Sequence, residues 1–207
     1  MKVLLINGSP RKEGCTYTAL CEVAQTLHAC GIETELIQGG RVGQDCTGCG
    51  ACRKSDGKCV YDNDIVNEII EKAKECDGFV FGSPVYYASA SGALRCLMDR
   101  CFYAGGAAFA YKPAAAVVSA RRGGCTNAFD QINKYFTINN MPVVPSQYWN
   151  MVHGAQADEV RQDEEGMQTM RTLAKNMAWM LKCIKAGKAA GIDRPAPEKK
   201  LRTNFIR

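Results

Sequence analysis

Apolar and polar positions follow two different periods along this chain, and the changes of period predict strands and helices. Residues 3–6 form an unbroken apolar run, which is typical of a strand buried on both faces of a parallel sheet. Apolar positions then recur at helical spacing over about 16–30, and Gly31 ends this helix. Residues 32–37 alternate as a second strand. The first part of the chain is therefore a complete strand-helix-strand unit.

The same alternation of strands and helices continues to the end of the last apolar stripe. The pattern predicts a helix from about 62 to 76, a strand at 79–81, a helix from 91, a strand at 114–119, a helix to about 140, a strand at 141–149 and a final helix over 163–185. This order predicts an α/β protein with a doubly wound parallel sheet of five strands. Ligands of such sheets bind beyond the carboxyl ends of the strands.

Composition favours one domain followed by a basic tail. With 207 residues and 46% hydrophobic residues, the chain is long enough for one sizeable core, which we assign to 1–186. From Lys185 onward there are seven Lys or Arg against two Asp or Glu, and the remainder is balanced at 19 against 19. The tail, 187–207, contains two prolines and only one aromatic residue, so we expect it to be solvated or wrapped on a partner subunit rather than bound to nucleic acid.

No stretch approaches the roughly 18 uninterrupted apolar residues that a membrane span requires. The first residues also lack a basic region followed by a secretory apolar core. We therefore predict a soluble cytoplasmic protein without a membrane partner. In that compartment most of the 12 cysteines are expected to be reduced.

The segment that joins the first strand to the first helix has the composition of a phosphate-binding turn. It is bounded by Gly8 and Gly14, and Ser9, Thr16 and Arg11 can donate hydrogen bonds to phosphate oxygens. It matches neither the G-x-x-x-x-G-K spacing of nucleoside triphosphate sites nor the dinucleotide fingerprint G-x-G-x-x-G. We therefore expect a single phosphate monoester here, with an ordinary capped turn as the alternative.

Three sequence runs resemble one known family. These are GSPRKEGCT after the first strand, GSPVYYAS after the third strand and the downstream LMDR, and together they are similar to the flavodoxin-like NADPH-dependent FMN reductase family over 1–185. The resemblance implies a three-layer flavodoxin-like fold with strand order 2-1-3-4-5. It also implies bound FMN and NAD(P)H as co-substrate.

The resemblance assigns the candidate FMN site to three turns. The phosphate would contact Ser9, Arg11, Cys15 and Thr16, the ring would lie against Pro84, Val85, Tyr86 and Tyr87, and its other side would face Ser119, Arg121, Gly123 and Gly124. Relatives usually carry asparagine where Cys15 stands, and a thiol is the weaker donor. One side-chain contact to the phosphate is therefore in question, whereas a backbone contact would remain.

Four cysteines in the glycine-rich segment 39–61 have a spacing suited to metal binding. Cys46, Cys49, Cys52 and Cys59 read C-x2-C-x2-C-x6-C, and three thiolates from one compact turn with a fourth nearby can hold a 4Fe-4S cluster. The motif is similar to that of the iron-sulfur flavoproteins of the same superfamily. A zinc site and a loop without metal are the alternatives, although zinc ribbons usually pair two separated knuckles.

These features predict an FMN-dependent NAD(P)H oxidoreductase that passes electrons to a quinone, a flavin or an iron-sulfur acceptor. The alternatives are an electron carrier of the iron-sulfur flavoprotein kind, with the cluster next to FMN, and a zinc-stabilised interaction protein. No side chain is identified as a catalytic acid or base, because the flavin supplies the chemistry. By analogy with the family we expect a homodimer or a higher homo-oligomer.

Overall fold

Strands and helices alternate along the chain in a computed structural model that describes residues 1–203 and 205. The elements are β1 (Lys2–Asn7), α1 (Cys15–Ala29), β2 (Glu33–Gln38), a 3-10 turn (Ala51–Lys54), α2 (Val66–Glu75), β3 (Gly78–Tyr86), β4 (Ser89–Ala90), α3 (Gly92–Phe109), β5 (Ala114–Ala120), α4 (Cys125–Ile138), β6 (Met151–His153), α5 (Ala157–Gln162) and α6 (Glu164–Ala189).

Five parallel strands form the central sheet in the order β2-β1-β3-β5-β6. Numbered as parallel strands alone, this is the predicted order 2-1-3-4-5, and the predicted fold class is confirmed. β4 is an addition that the sequence pattern did not predict. It pairs antiparallel with the end of β3, where Val85 opposes Ala90 and Tyr86 opposes Ser89. It therefore folds the turn after β3 back onto its own strand.

The prediction of the fifth strand was wrong in position. The strand is Met151–His153, whereas residues 141–149 pair with β5 through an isolated parallel bridge between Ala114 and Val143. Pro142 and Pro145 flank this bridge, and proline has no N–H to extend a ladder. Between bridge and strand, the Asn150 side chain donates to the Ala116 carbonyl at 3.0 Å. A side-chain amide thus occupies a position where a continuous strand would use its backbone.

The end of the chain also differs from the sequence prediction. A separate helix, α5, precedes the last one, and α6 continues to Ala189, beyond both the predicted helix end at 185 and the domain boundary drawn at 186. The described residues after Ala189 carry no further helix or strand, and their side chains are exposed. Among the described residues, no helix is long and apolar enough to cross a membrane.

The sheet separates two apolar cores. One face, which includes Phe79 and Phe81 of β3, packs with residues of α2, α3 and α4. The other face, which includes Val80 of the same strand, packs with α1 and α6. Residues that alternate along one strand therefore enter different cores, which is why the buried strands read as unbroken apolar runs. The methionine stripe of α6 belongs to the second core, since Met170 and Met177 are fully buried there.

Candidate functional site

Four segments enclose a cavity of about 260 Å³ at the carboxyl edge of the sheet. They are the loop after β1, the carboxyl end of β3, the end of β5 with the turn that follows it, and the segment after β6. Nine of the twelve residues that the sequence assigned to the flavin site line this cavity: Ser9, Arg11, Cys15, Thr16, Pro84, Val85, Tyr86, Ser119 and Arg121. Ala120, which lies within the run 119–124 that the sequence assigned to the ring, also lines the cavity, and Gly154 and Ala155, which the sequence had not indicated, complete the lining. Tyr87, Gly123 and Gly124 lie outside it.

Buried polar side chains fix the loop after β1. The Asn7 amide group donates to the carbonyls of Arg11 and Lys12, both at 3.3 Å, and its Oδ1 accepts the Ser9 N–H at 3.1 Å. Asn7 also donates to Gln38 Oε1 at 2.8 Å, while the Gln38 amide donates to the Ser9 carbonyl. The loop is therefore held in place by hydrogen bonds from β1 and β2.

The N-terminus of α1 borders the same cavity. Its N-cap is Gly14, which has no side chain to accept a hydrogen bond from the first turn. The first amides of a helix lack intrahelical partners, and they carry the positive end of the helix dipole. Cys15 and Thr16 of this first turn both line the cavity. The end of α1 is therefore suited to an anion.

Two side chains of the α1 turn already have partners across the cavity. The hydroxyls of Thr16 and Ser119 lie 2.8 Å apart, and the Cys15 thiol donates to the Gly154 carbonyl at 3.5 Å. Burial raises the pKa of Cys15, so this thiol is protonated and available as a donor at neutral pH. The Cys15 side chain therefore joins α1 to the segment after β6.

The last residue of β3 and the turn after it present aromatic surface at the rim of the cavity. Tyr86 is 48% exposed and Tyr87 is fully exposed, with a positive φ of 55°. Gly124, at φ 91°, packs against this turn, and a Cβ there would lie 2.8 Å from Val85 Cγ1. Only glycine tolerates both the backbone conformation and this contact without strain. Gly124 is therefore placed to bring the turns after β3 and β5 together.

The four cysteines of the predicted metal motif line a second cavity of about 250 Å³. Gly48 and Gly50 have positive φ values of 66° and 68°, so the backbone turns sharply between the first three cysteines. All four cysteines line the same space, and the described residues contain no group of three or more His, Cys, Asp or Glu arranged for one metal ion.

Cys59 is held by two polar side chains. Asn67 accepts the Cys59 N–H at 2.8 Å and donates to the Cys59 carbonyl at 2.9 Å. Arg100, on α3, donates from Nε to the Cys59 sulfur at 3.3 Å and forms an ion pair with Asp64. Burial opposes the charge of Arg100, but the hydrogen bonds to Asp64 and Cys59 outweigh it, so the pKa of Arg100 is raised. A permanent positive charge therefore lies beside one cysteine sulfur.

Sequence reasoning missed the residues that support both cavities. Asn7 and Gln38 belong to none of the sequence motifs that identified the candidate site. Arg100 stands in the LMDR run that supported the family resemblance, yet no role was assigned to it. A signal was present, because Leu94, Leu97, Met98 and Cys101 mark the buried stripe of α3 and Arg100 lies beside that stripe. A charged residue at a buried helical position indicates a partner elsewhere in the fold.

The sheet order and the cavity at its carboxyl edge define a flavodoxin-like α/β protein. An archaeal flavodoxin structure shares this fold, with a TM-score of 0.61 at 15% identity over 88% of this chain and 99% of its own. The sequence profile described as NADPH-dependent FMN reductase matches residues 1–156. The chain belongs to this family of flavin-dependent oxidoreductases.

The curated relatives place it in one branch of the family. Iron-sulfur flavoprotein MJ1083 of Methanocaldococcus jannaschii is 38% identical over 201 residues, which cover 89% of this chain and all of the relative. The iron-sulfur flavoprotein of Methanosarcina thermophila is 34% identical over 193 residues, or 89% of this chain and 97% of the relative. The chain is therefore a member of the iron-sulfur flavoprotein branch.

Proposed function

We propose that this protein is an FMN-dependent NAD(P)H oxidoreductase that passes electrons from a nicotinamide through FMN to a quinone, a flavin or an iron-sulfur acceptor. The observation that carries the proposal is the cavity at the carboxyl edge of the sheet, lined by residues from all three glycine-containing turns. When bound, FMN would supply the redox chemistry by accepting a hydride and releasing electrons singly or in pairs.

The chain's own groups suit the two ends of FMN. Ser9, Arg11 and the first-turn amides of α1 would bind the phosphate, and Thr16 would support them through its bond to Ser119. Because the Cys15 thiol donates to Gly154, we assign the phosphate contact of Cys15 to its backbone N–H. The loop is already organised by Asn7 and Gln38, so binding costs little ordering of the chain.

The flavin ring would lie against the turn after β3. Pro84, Val85 and Tyr86 line the cavity and offer apolar contact, with Tyr87 at the outer margin. Arg121, exposed on the opposite turn, would face the anionic edge of the flavin or the nicotinamide phosphate, and Gly123 and Gly124 would shape that turn. NADPH and NADH remain alternative donors.

A second role, as an electron carrier with a 4Fe-4S cluster, is favoured by a specific observation. Cys46, Cys49, Cys52 and Cys59 all face one cavity, and thiolates round a shared space are the ligands that such a cluster requires. Arg100 adds a buried positive charge that would compensate part of the negative charge of the thiolates. The names of the relatives are consistent with this role.

The decisive experiment is anaerobic purification followed by spectroscopy. We expect about one FMN per chain, with absorbance that bleaches on addition of NADPH or NADH, and about four irons and four sulfides per chain. Cys49→Ser should lower iron and sulfide and leave FMN unchanged. Cys183→Ser, at an exposed position on α6, is the matched control and should retain the iron, the sulfide and the FMN.

Each result separates the alternatives. Flavin that no nicotinamide reduces would contradict the oxidoreductase proposal while leaving the carrier role. Unchanged iron in Cys49→Ser would contradict the cluster assignment, and one zinc without flavin would instead support the zinc-stabilised protein.

We also propose a homodimer or a higher homo-oligomer, because Tyr86 and Tyr87 leave the rim of the flavin cavity open to a neighbouring subunit. A monomeric mass under native conditions would contradict it. Cytoplasmic location stays a prediction.

A further inference from the structure

Arg100 is the one fully buried charged side chain in the described part of the chain, with 1% of its surface exposed. It lies on α3 and lines the cavity of the four cysteines. Burying a guanidinium is costly unless every donor is used and the charge is compensated. The hydrogen-bond partners of Arg100 therefore indicate which part of the chain this side chain stabilises.

All of the hydrogen-bond partners of Arg100 lie in residues 44–64, the stretch that includes the four cysteines. Nη1 donates to the Gln44 carbonyl at 3.3 Å and pairs with Asp64, and Nη2 donates to the Tyr61 carbonyl at 2.7 Å. The guanidinium also lies 5.7 Å from the centre of the Tyr61 ring. Gln44 precedes Cys46, and Tyr61 and Asp64 follow Cys59. One side chain thus ties both ends of the cysteine segment to α3.

A further donor, Nε, is directed at the Cys59 sulfur at 3.3 Å. A backbone carbonyl would be the usual partner for such a donor, and the use of a sulfur connects the buried charge with a candidate cluster ligand. Hydrogen bonds to cluster sulfurs and nearby charge are the means by which proteins adjust cluster potentials.

We propose that Arg100 is a positioning residue for the cysteine cavity, which fixes the segment 44–64 on α3 before any cluster is present and, through its bond to Cys59, makes a cluster bound there easier to reduce. This inference rests on the proposed cluster. Reduction adds one electron from an external low-potential reductant and breaks no bond. The added negative charge is stabilised by a nearby cation in a site of low dielectric constant.

The first test follows the segment without the cluster. We compare amide hydrogen exchange of residues 44–64 in iron-free, FMN-loaded wild type, Arg100→Met and Arg100→Lys. We expect exchange to be about tenfold faster or more in Arg100→Met, because the hydrogen bonds that anchor the segment are lost. Arg95→Met removes the same charge from an exposed position of α3 and should match the wild type. Equal exchange in all four proteins would overturn the positioning role.

The second test measures the potential of the cluster by mediated redox titration of iron-loaded protein. We expect Arg100→Met to shift the reduction equilibrium about tenfold towards the oxidised form, or about 59 mV for one electron. Arg100→Lys keeps the charge but cannot reach all the partners at once, so we expect a smaller shift of the same sign. Arg95→Met should leave the potential unchanged. A purely structural Arg100 would alter exchange without altering the potential.

Failure of this inference is distinguishable from failure of the cluster proposal. Wild type that binds no iron under anaerobic reconstitution would overturn the cluster and the effect on its reduction, while the exchange experiment would still decide the anchoring role. If Arg100→Met does not retain iron, the potential of Arg100→Lys decides. An iron-loaded wild type whose potential equals that of the variants would overturn the effect of Arg100 on reduction and leave the cluster proposal intact.

Discussion

The cysteines of this chain differ in their roles because the groups around each thiol differ. Burial raises the pKa of Cys76 and Cys101, whose thiols are packed in the core and remain protonated. The Cys15 thiol is bonded to a loop carbonyl beside the flavin cavity. The Cys59 sulfur instead accepts a hydrogen bond from a guanidinium. Three environments therefore give one side chain three roles.

At the residue scale, Arg11→Ala tests the phosphate site. Arg11 lines the cavity but is exposed, so we expect FMN affinity to fall about tenfold, at the lower end for a charge-assisted hydrogen bond. Affinity for riboflavin, which lacks the phosphate, should not change. The measurement is quenching of flavin fluorescence on titration with apoprotein.

Lys12→Ala is the matched control, since Lys12 is the exposed neighbour and does not line the cavity. Equal losses for FMN and riboflavin would contradict a phosphate contact of Arg11.

At the scale of elements, the loop after β1, which is the candidate phosphate loop, and the start of the cysteine segment are packed against each other. The Gly39 N–H donates to the Asn7 carbonyl at 2.9 Å, which carries the pairing of β1 with β2 one residue beyond the strand. A Cβ at Gly40 would lie 2.0 Å from the Ser9 carbonyl oxygen. The backbone after β2 therefore lies against the loop that begins the flavin site.

This contact predicts a specific effect for Gly40→Ala. The methyl group must displace the backbone of Ser9, so we expect a loss of about 1–3 kcal/mol in the free energy of unfolding together with weaker FMN binding. Gly43→Ala, where a Cβ would meet no atom within 4 Å, should stay within about 0.5 kcal/mol of the wild type. Urea unfolding and FMN titration measure both effects. A stable Gly40→Ala with normal FMN affinity would show that the loop can move freely.

Glu35 of β2 forms ion pairs with β1 and α2, and these pairs make a pH-dependent contribution to the free energy of unfolding. Hydrogen bonds from Lys2, at 2.6 Å, and Lys72, at 2.7 Å, lower the pKa of Glu35. A carboxyl group whose pKa is lower in the folded state stabilises the fold above its unfolded pKa of about 4.3, and this contribution is lost as the pH falls through the folded value.

Glu35→Gln should therefore be less stable than the wild type at pH 7, and the difference should shrink below about pH 4. We expect a small difference, because the side chain of Glu35 is partly exposed and solvent screens its ion pairs. Thermal unfolding from pH 3 to 8 measures it. Glu33→Gln, exposed on the same strand, is the control, and a difference independent of pH would contradict this account.

At the scale of the whole molecule, the sheet divides the interior into two separate apolar cores that share strands. Ile132 of α4 belongs to one and Ile32, just before β2, belongs to the other. Interactions between substitutions that share no partners are small. The two faces should therefore respond to mutation independently.

We expect Ile132→Val and Ile32→Val to cost about 0.5–1.5 kcal/mol each and the double variant to equal their sum within about 0.5 kcal/mol. Phe79→Leu and Phe109→Leu, whose rings lie 4.8 Å apart in one core, are the comparison and should deviate from additivity. The measurement is urea unfolding. Strong coupling between the two isoleucines would show that the cores act as one unit.

Local patterns could predict a large part of the fold because they depend on burial alone. The unbroken run in β1, the helical stripe of α2 and the glycines after β1 each correspond to the predicted element or turn, whereas Gly82, predicted to begin the turn after the third strand, lies within β3. The fifth strand was misplaced because Val143 and Val144 look like strand residues while Pro142 and Pro145 prevent a ladder. Most of the candidate flavin residues lie together because parallel strands bring their carboxyl ends to one edge.

The sequence by itself determined the class of fold, the edge at which the candidate flavin residues meet and the four thiols of the second cavity, since each depends on the order and spacing of residues along the chain. Only the tertiary structure decided what supports these sites. Asn7 meets Gln38, Cys15 meets Gly154 and Arg100 meets Cys59 across separations of 31, 139 and 41 residues. Contacts at such distances are set by how the layers pack, and no local pattern along the chain specifies them.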